Sequence, residues 1–293
     1  MPELPDVELY CEALAARVVG SPLLKIVLKS PFVLRTAVPP LDALQGRRVK
    51  AVTRLGKRVV FEFDGDYFLV LHLMIAGRLQ WIPEGGKAPS KITLAHLAFE
   101  SGTLALTEAG TRRRASLHVL HGRDALAPFD AGGLEVVPAT RDAFAARMRS
   151  ESHTLKYALT DPRLFSGIGN AYSDEILHRA KLSPLALSQK ISEEEMTRLY
   201  AAAREVLAEW TARLREQAAG AFPAKVTAFR PDMAVHGRFG QPCPVCGAPV
   251  QRIVYAENEA NYCARCQTHG VVLADRALSR LLHKSFRRTL EEG

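Results

Sequence analysis

The chain has 293 residues, of which 47% are hydrophobic and 24% are charged, an ordinary globular composition. No apolar stretch is long enough for a membrane span, and the acidic start lacks the pattern of a signal peptide, so we expect no membrane partner and a cytoplasmic, nucleoid-associated location. A formal charge of +8 and an isoelectric point near 9.4 favour a polyanionic partner, with nucleic acid as the first candidate.

The N-terminal stretch MPELPDVELY raises the possibility of chemistry at the chain start. Removal of Met1 would leave the secondary amine of Pro2 as the free N-terminus, and roughly a tenth or more of such an α-amino group is unprotonated at neutral pH. Many proteins begin with Met-Pro for no chemical reason, so the rest of the chain must decide. Apolar residues at Val7, Leu14 and Val18 predict a helix over residues 3 to 19.

The following residues, to about 120, predict a β-sandwich or barrel. β-branched, alternating runs are separated by turn residues, and FDGDY and ESGT predict hairpins: LLKIVLKS, RRVKAVTRL, KRVVFEFDGDYFLVLHL and HLAFESGTLALTEA.

The second half of the chain begins with helices. Pro, Gly and Asp accumulate before residue 141, and residues 141 to 217 are helical in pattern, with a capping box at Ser192 and Glu195. Leucines and Phe286 predict a terminal helix from about Leu273. The chain length supports more than one domain. The predicted boundaries are 1–125 for the β-sandwich domain, 126–140 for a linker, 141–220 for the helical domain, 221–242 for a loop, 243–267 for a zinc finger and 268–293 for a helical extension.

Four of the five cysteines predict a metal site. Cys243 and Cys246 are separated by sixteen residues from Cys263 and Cys266, a spacing at which two knuckles give four thiolates to one tetrahedral Zn²⁺. Four thiolates leave no open position, so the zinc is expected to be structural, and the alternating residues between the pairs predict a β-hairpin finger. Cys11 is left over and expected to be buried.

A glycine turn precedes a further helical run. Gly167 and Gly169 stand just before Asn170, where the N–H groups of a helix N-terminus favour a phosphate. An ordinary helix cap explains the same residues, and both interpretations stay open on local chemistry alone.

Taken in order, PELPDVE, the LGK at 55–57, GIGNAYSDEIL at 167–177 and the four-cysteine finger resemble the formamidopyrimidine-DNA glycosylase and endonuclease VIII family. The resemblance spans residues 2 to about 267. It implies a bilobal α+β fold: an N-terminal helix with a β-sandwich, then a helix-two-turns-helix domain and the finger.

The resemblance also implies base-excision repair, by a bifunctional DNA glycosylase and AP lyase. Pro2 matches the family's nucleophile, which attacks C1′ of the damaged nucleotide and forms an iminium linkage that permits β-elimination. Glu3 matches the acid that protonates the opening sugar ring. Lys57 matches a hairpin lysine near the scissile phosphates, although a solvated strand lysine is the plain alternative.

The resemblance further implies a set of DNA contacts. Asn170 and Lys156 match phosphate-side residues of the helical domain, and His72 matches a phosphate-side histidine, with a buried core histidine as the alternative. Arg112 and Arg113 are the expected contacts of the first domain. The implied partner is damaged double-stranded DNA, bound by a monomer.

Three positions depart from the family pattern. Asn258 stands where the finger usually carries an arginine, so we expect a weaker phosphate grip and δ-elimination is in doubt, unless Arg252 or Arg265 compensates.

The family fills the void of the flipped base with a methionine, an arginine and a phenylalanine. Here Ile75 stands at the methionine position, Arg112 and Arg113 supply the arginine, and Arg114 stands where the phenylalanine should be.

Two alternatives to a bifunctional enzyme follow from these departures. The first is a non-catalytic zinc-finger protein that binds abasic or distorted DNA, and the second is an AP lyase with little glycosylase activity. The presence of both Pro2 and Glu3 argues against the first, and the altered wedge together with Asn258 makes the second plausible.

Overall fold

The structure is a computed structural model that describes residues 1–86, 91–110, 112–223, 226, 229–255, 258–273 and 288–289, with the backbone alone for 255, 258, 288 and 289. The chain divides into two compact units. The first comprises Met1–Ala131 with Trp210–Thr227, and the second comprises Gly132–Glu209 with Ala228–Gly293.

The first unit begins with helix α1, Leu4–Val18, as the sequence predicts. Pro5 lies in the first turn, where its missing N–H costs no hydrogen bond, and the Asp6 carboxylate accepts the backbone N–H of Glu3 at 3.0 Å. The helix buries one apolar stripe against the sheets: Val7, Tyr10, Leu14 and Val18.

Eight strands of the described chain form two antiparallel sheets in the first unit. They are β1 Lys25–Leu28, β2 Val49–Leu55, β3 Arg58–Phe63, β4 Tyr67–His72, β5 Gly77–Ile82, β6 Thr93–Phe99, β7 Gly102–Glu108 and β8 Ser116–His121. One sheet has the order β1-β6-β7-β5 and the other has the order β2-β3-β4-β8. Short 3-10 helices lie at Pro31–Val33, Leu41–Leu44 and Arg123–Phe129.

The two sheets share one hydrophobic core with α1, to which Phe61, Leu71, Leu97 and Leu106 contribute. The β-sandwich is therefore confirmed, as are the two hairpins: FDGDY joins β3 to β4, and ESGT joins β6 to β7. Cys11 is 4% exposed and belongs to the same core.

A segment from the second half of the chain completes the first unit. Phe222 packs with its ring centroid 5.8 Å from that of Tyr10 and 6.3 Å from that of Trp81. The Arg215 guanidinium donates to both carboxylate oxygens of Glu12, with Nε 2.9 Å from Oε2. The predicted boundaries do not anticipate this grouping, because nothing local in residues 210–227 reveals a partner two hundred residues away.

The second unit is helical before the finger. Its helices are α2 Arg141–Arg149, α3 Leu155–Thr160, α4 Asn170–Ala180 and α5 Glu193–Ala218, which continues into the segment grouped with the first unit. The predicted capping box is present: Ser192 Oγ accepts from the Glu195 N–H at 3.1 Å, and the Glu195 carboxylate accepts from the Ser192 N–H at 2.8 Å.

The finger contains the predicted hairpin, β9 Val250–Tyr255 and β10 Asn258–Cys263, followed by the short helix α6, Ala264–Thr268. Beyond it, β11, Val271–Val272, pairs with β12, Arg288–Thr289. The predicted terminal helix is therefore wrong at Arg288 and Thr289, where backbone pairing replaces it, and its residues 274–287 lie outside the described part.

Within the described ranges, none of the helices combines the length and the apolar composition that crossing a membrane requires.

Candidate active site and zinc centre

The start of the chain is enclosed by its own unit. Pro2 is buried, and Glu3 is 2% exposed. Because α1 begins at Leu4, directly behind Glu3, the rigid helix fixes the position of both residues. Asp6, 1% exposed, adds a second carboxylate within the first turn.

The electrostatic surroundings of the N-terminus identify its neighbours. Burial lowers the pKa of the Met1 amino group, opposed by Glu3 and assisted by Arg78, and Lys57 acts in the same direction as Arg78. Glu3 and Lys57, two of the predicted residues, therefore both act on the charge of the Met1 amino group, which precedes Pro2 in the chain. Arg78, on β5, joins them; the sequence reasoning missed it, and no local signal marks it.

Lys57 occupies a two-residue turn between β2 and β3, where Leu55 pairs with Arg58. Gly56 adopts φ of 59°, the positive value that the first central residue of a type II′ turn requires. The Arg54 guanidinium donates to the Gly56 carbonyl at 2.9 Å and to Glu8 of α1 at 2.6 Å. This link holds the turn that carries Lys57 beside the helix that begins behind Glu3.

His72 ends β4, paired with Arg58 on one side and with Ser116 on the other. It is partly buried, which leaves both predicted alternatives possible. Burial, together with Arg58, Lys57 and His118, lowers the pKa of His72 to about 4. The imidazole is therefore neutral at pH 7, and it lies in a cationic neighbourhood suited to an anion.

Two loops leave the sheets side by side. His72 at the end of β4 pairs with Ser116 at the start of β8, and Gly77 at the start of β5 pairs with Glu108 at the end of β7. The connection from β4 to β5 and the connection from β7 to β8 therefore start and end at neighbouring residues. Gly77 admits no side chain, because a Cβ there would lie 2.2 Å from the carbonyl oxygen of Leu73. This constraint shapes the first loop into a tight turn.

These loops carry the positions that depart from the family pattern. Ile75 is 58% exposed, and Met74 beside it is partly buried with φ of 53°. Arg112, Arg113 and Arg114 are exposed. The loop is anchored by Glu108, which is 2% exposed and whose carboxylate oxygens accept the backbone N–H groups of Arg114 and of the next residue, both at 3.0 Å.

In the second unit, the glycine turn leads into α4 as predicted, with Gly167 at φ of 76° and Asn170 as the first helical residue. The Asn170 side-chain amide donates to the carbonyl of Glu259 in β10 at 2.8 Å. The helix N-terminus and the finger hairpin thus meet at Asn170, the residue at which the first turn of the helix begins.

Lys156 differs from the predicted DNA contact. Only 8% exposed, its Nζ donates to the Asn170 carbonyl at 2.6 Å, to Ser173 Oγ at 2.8 Å and to Asp174 Oδ1 at 2.5 Å. An ammonium group has three N–H donors, and all three are used within the protein. The geometry gives Lys156 a role in holding the start of α4.

Two buried acids of α4 hold the segment that precedes the finger. Asp174 accepts from His236 Nδ1 at 2.8 Å. Glu175 accepts the backbone N–H groups of residues 234, 235 and 236 at 2.7, 2.9 and 3.0 Å. Burial raises the pKa of Glu175, against the effect of these hydrogen bonds. The sequence reasoning missed both acids, which stand inside the motif DEIL.

The four cysteines form a zinc site. Sγ of Cys243, Cys246, Cys263 and Cys266 all lie within 4.8 Å of one another, which fits one tetrahedral ion with four thiolate ligands. His178 Nε2 lies 3.3 Å from Sγ of Cys243. Because no ligand position is left open, a bound zinc cross-links the two knuckles and stabilises the finger.

The remaining finger residues bear on the missing arginine. The side chain of Asn258 lies outside the described part, and its backbone begins β10. Arg252 Nη1 lies 3.5 Å from Glu259 Oε2, and its guanidinium stands 4.3 Å from the Phe239 ring centroid. Arg265 donates to the Cys246 carbonyl at 3.2 Å. Arg252 and Arg265 therefore both have contacts within the second unit.

A β-sandwich behind an N-terminal helix, a helical domain and a four-cysteine hairpin finger define a zinc-finger protein with a buried Pro2 next to its N-terminus. Family models agree in the same order: the formamidopyrimidine-DNA glycosylase N-terminal domain over residues 1–117, its H2TH domain over 135–217, and the zinc finger found in FPG and IleRS over 240–268. The chain belongs to the formamidopyrimidine-DNA glycosylase family.

Individual proteins agree with this assignment. The formamidopyrimidine-DNA glycosylase of Thermus thermophilus is 34% identical over 284 residues, 92% of this chain and all of that protein. The crystal structure of the T. thermophilus MutM (Fpg) protein aligns with a TM-score of 0.74, covering 91% of this chain and 98% of that one. The Lactococcus lactis Fpg in complex with abasic-site DNA aligns with a TM-score of 0.79 at 25% identity, covering 91% and 99%.

Proposed function

We propose that this protein is a bifunctional DNA glycosylase and AP lyase that uses Pro2 as its nucleophile. Membership of the family supports a DNA glycosylase that acts in DNA repair. The observation that carries the finer proposal is the buried Pro2–Glu3 pair at the start of α1, with Lys57 and Arg78 acting on the charge of the adjacent Met1 amino group.

The first chemical step is displacement of the base. After removal of Met1, the lone pair of the Pro2 nitrogen attacks C1′ as the bond from C1′ to the base breaks, and the base leaves with the proton that the Pro2 nitrogen gives up. Glu3 gives its proton to the ring oxygen O4′ as the C1′–O4′ bond opens, which leaves an iminium ion. A buried carboxyl group at the helix start is suited to this transfer.

The second step is strand cleavage. The positive iminium nitrogen acidifies the C2′ proton; its removal forms a C1′–C2′ enamine, whose electrons then expel the phosphate on C3′. Water finally hydrolyses the imine and returns the free amine. The cationic surroundings, to which Lys57 and Arg58 contribute, stabilise the developing phosphate charge.

DNA is held by charge and by helix geometry in this proposal. The N-terminus of α4 with Asn170 binds a phosphate, and Arg112 and Arg113 bind the backbone from the loop anchored by Glu108. Ile75, exposed in the adjacent loop, enters the space left by the flipped base. Lys156 acts by holding Asn170, and zinc on the four cysteines holds the finger beside it.

The direct test is reduction with borohydride in the presence of duplex DNA that contains an abasic site. A covalent adduct of protein and DNA is expected, and it should disappear when an extra residue permanently blocks the Pro2 nitrogen. Mass spectrometry should show that the mature chain begins at Pro2. Binding of the DNA without any adduct would instead support a non-catalytic protein.

The same adduct assay separates the glycosylase from a simple lyase. A panel of duplexes, in which each damaged base is placed in turn opposite each of the four ordinary bases, tests whether the intact enzyme releases a base before it cleaves the strand. The exposed Arg114 and the Asn258 position favour a lyase with little glycosylase activity as the second candidate. Cleavage of abasic sites alone, with no base release from any duplex, would establish that candidate.

A further inference from the structure

One face of helix α4 carries three polar side chains at successive turns. Asn170, Asp174 and His178 are spaced four residues apart, which places them in one row along the helix. Each bonds a different part of the finger region: the Glu259 carbonyl at 2.8 Å, His236 Nδ1 at 2.8 Å and Cys243 Sγ at 3.3 Å. The row therefore joins the phosphate-side end of α4 to the zinc site.

The contact between His178 Nε2 and the Cys243 sulfur is a buried one at hydrogen-bond distance. His178 is 6% exposed, Cys243 is 2% exposed, and both belong to the same unit. A zinc-bound thiolate has no proton, so the imidazole must be the donor, through Nε2–H. Four thiolates on one Zn²⁺ give the centre a net charge of about −2, and buried charge needs hydrogen-bond donors.

We propose that His178 is a positioning residue of the zinc centre, which holds the Cys243 thiolate through an Nε2–H···Sγ hydrogen bond and thereby ties zinc retention to the helix that begins at Asn170. Loss of zinc then weakens one of the three links between α4 and the finger region, and loss of the imidazole weakens zinc binding without touching a ligand. The sulfur keeps its bond to zinc, and no proton changes place.

The variant test compares donors of different kinds at one position. His178→Phe removes the donor and keeps the ring, whereas His178→Gln keeps an N–H group near the position of Nε2. Transfer of zinc to a chromophoric chelator should be faster by about 10-fold or more for the Phe variant. The Gln variant should stay within about 3-fold of the parent, below the roughly 10- to 100-fold cost of losing an outer partner of a metal ligand. Arg179→Ala, on the neighbouring helix position, should match the parent.

Two readouts exclude a merely structural role. In cobalt-substituted protein, the sulfur-to-metal charge-transfer band should shift to lower energy in the Phe variant, because the thiolate loses its hydrogen bond, and the Gln variant should recover most of the shift. In the parent loaded with cadmium-113, nitrogen-15 histidine spectra should show a slowly exchanging Nε2 proton that is absent from the Gln variant. That second measurement needs no destabilised protein.

Several results would overturn the proposal: zinc transfer from the Phe variant at the parent's rate, equal losses in the Phe and Gln variants, or no protected Nε2 proton in the parent. All of these are read from the metal or the ring itself. They are therefore independent of base release, and they can be measured equally well in protein whose Pro2 nitrogen is blocked.

Discussion

Lys156 and Asp174 form an ion pair that solvent barely reaches, with Nζ 2.5 Å from Oδ1 and side-chain exposures of 10% and 0%. The other carboxylate oxygen of Asp174 accepts from His236. One carboxylate thus connects α3, α4 and the segment before the finger. The resemblance to the family assigns Lys156 to DNA binding, whereas in the structure its ammonium group holds three groups of the protein at the start of α4.

Replacing Lys156 with Met should destabilise the second unit by about 3–5 kcal/mol, because a buried carboxylate loses its cationic partner. Urea unfolding followed by far-ultraviolet circular dichroism measures the loss. The double variant with Asp174→Leu should recover part of it, and Lys190→Met, at an exposed position, should change stability by less than about 0.5 kcal/mol. A loss below about 1 kcal/mol for Lys156→Met would show that the pair is open to water.

Glu3→Gln should reduce base release by about 10²- to 10⁴-fold, since an amide cannot give up a proton to O4′. Cleavage of a preformed abasic site should fall much less, because its sugar is already open for part of the time. Single-turnover assays on a damaged duplex and on an abasic duplex measure the two rates separately. Glu12→Gln, in an exposed ion pair on the same helix, is the matched control. Equal losses in both assays would contradict the acid role.

The initial rate of adduct formation with cyanoborohydride should rise with pH, with a midpoint below the ordinary α-amino value of about 8. Burial lowers the pKa of the Met1 amino group, and we expect the same direction for the Pro2 amine that becomes the N-terminus after Met1 is removed, so that its reactive unprotonated form appears at lower pH. Arg78 acts in the same direction, and Arg78→Gln should therefore move the midpoint upwards. A midpoint that Arg78→Gln leaves unchanged would place the amine away from this guanidinium.

His72 should make folding stability depend on pH. Its pKa is about 4 in the folded protein and about 6.5 unfolded, so the unfolded chain binds the extra proton between these values. Stability contributed by the neutral ring is therefore complete above pH 6.5 and declines towards pH 4, by at most about 1.4 kcal/mol per pH unit. His72→Gln should flatten this part of the profile. Proton NMR titration of the His72 ring gives the same pKa directly, and a value near 6.5 would contradict it.

Arg112→Ala and Arg113→Ala should each weaken DNA binding similarly for all sequences and lower the slope of log affinity against log salt by about 1. The reason is that each guanidinium displaces counterions from the phosphates. Fluorescence anisotropy at several salt concentrations measures the slope. Lys50→Ala, a surface lysine paired with Glu62, should leave it unchanged. A fall in affinity with an unaltered slope would mean that the arginines do not contact phosphate.

Local patterns account for the parts of the molecule that the sequence predicts well. The capping box at Ser192, the hairpin between the cysteine pairs and the helix behind Glu3 each depend on residues a few positions apart. Each of these features depends on a short stretch of the chain, so it can be predicted without knowing the fold.

The features that the sequence did not reveal depend on partners distant in the chain. Lys156 meets Asp174 across eighteen residues, and His178 meets Cys243 across sixty-five. A lone lysine carries no mark of such a partner. The spacing of Asn170, Asp174 and His178 was a visible signal, because four-residue steps of polar side chains on an otherwise buried helix require partners.

Phe222 lies against Tyr10 and Trp81, and Val226 contributes to the same core, although both follow the long helix α5 in the chain. The core of the first unit is thus made from two stretches of polypeptide, and its last residues, Phe222 and Val226, are synthesised about a hundred residues after the end of β8 at His121. During synthesis, Tyr10 and Trp81 therefore lack their contacts with Phe222 until that residue has been translated. Truncated fragments that end before residue 210 should therefore aggregate and be cleaved rapidly by proteases.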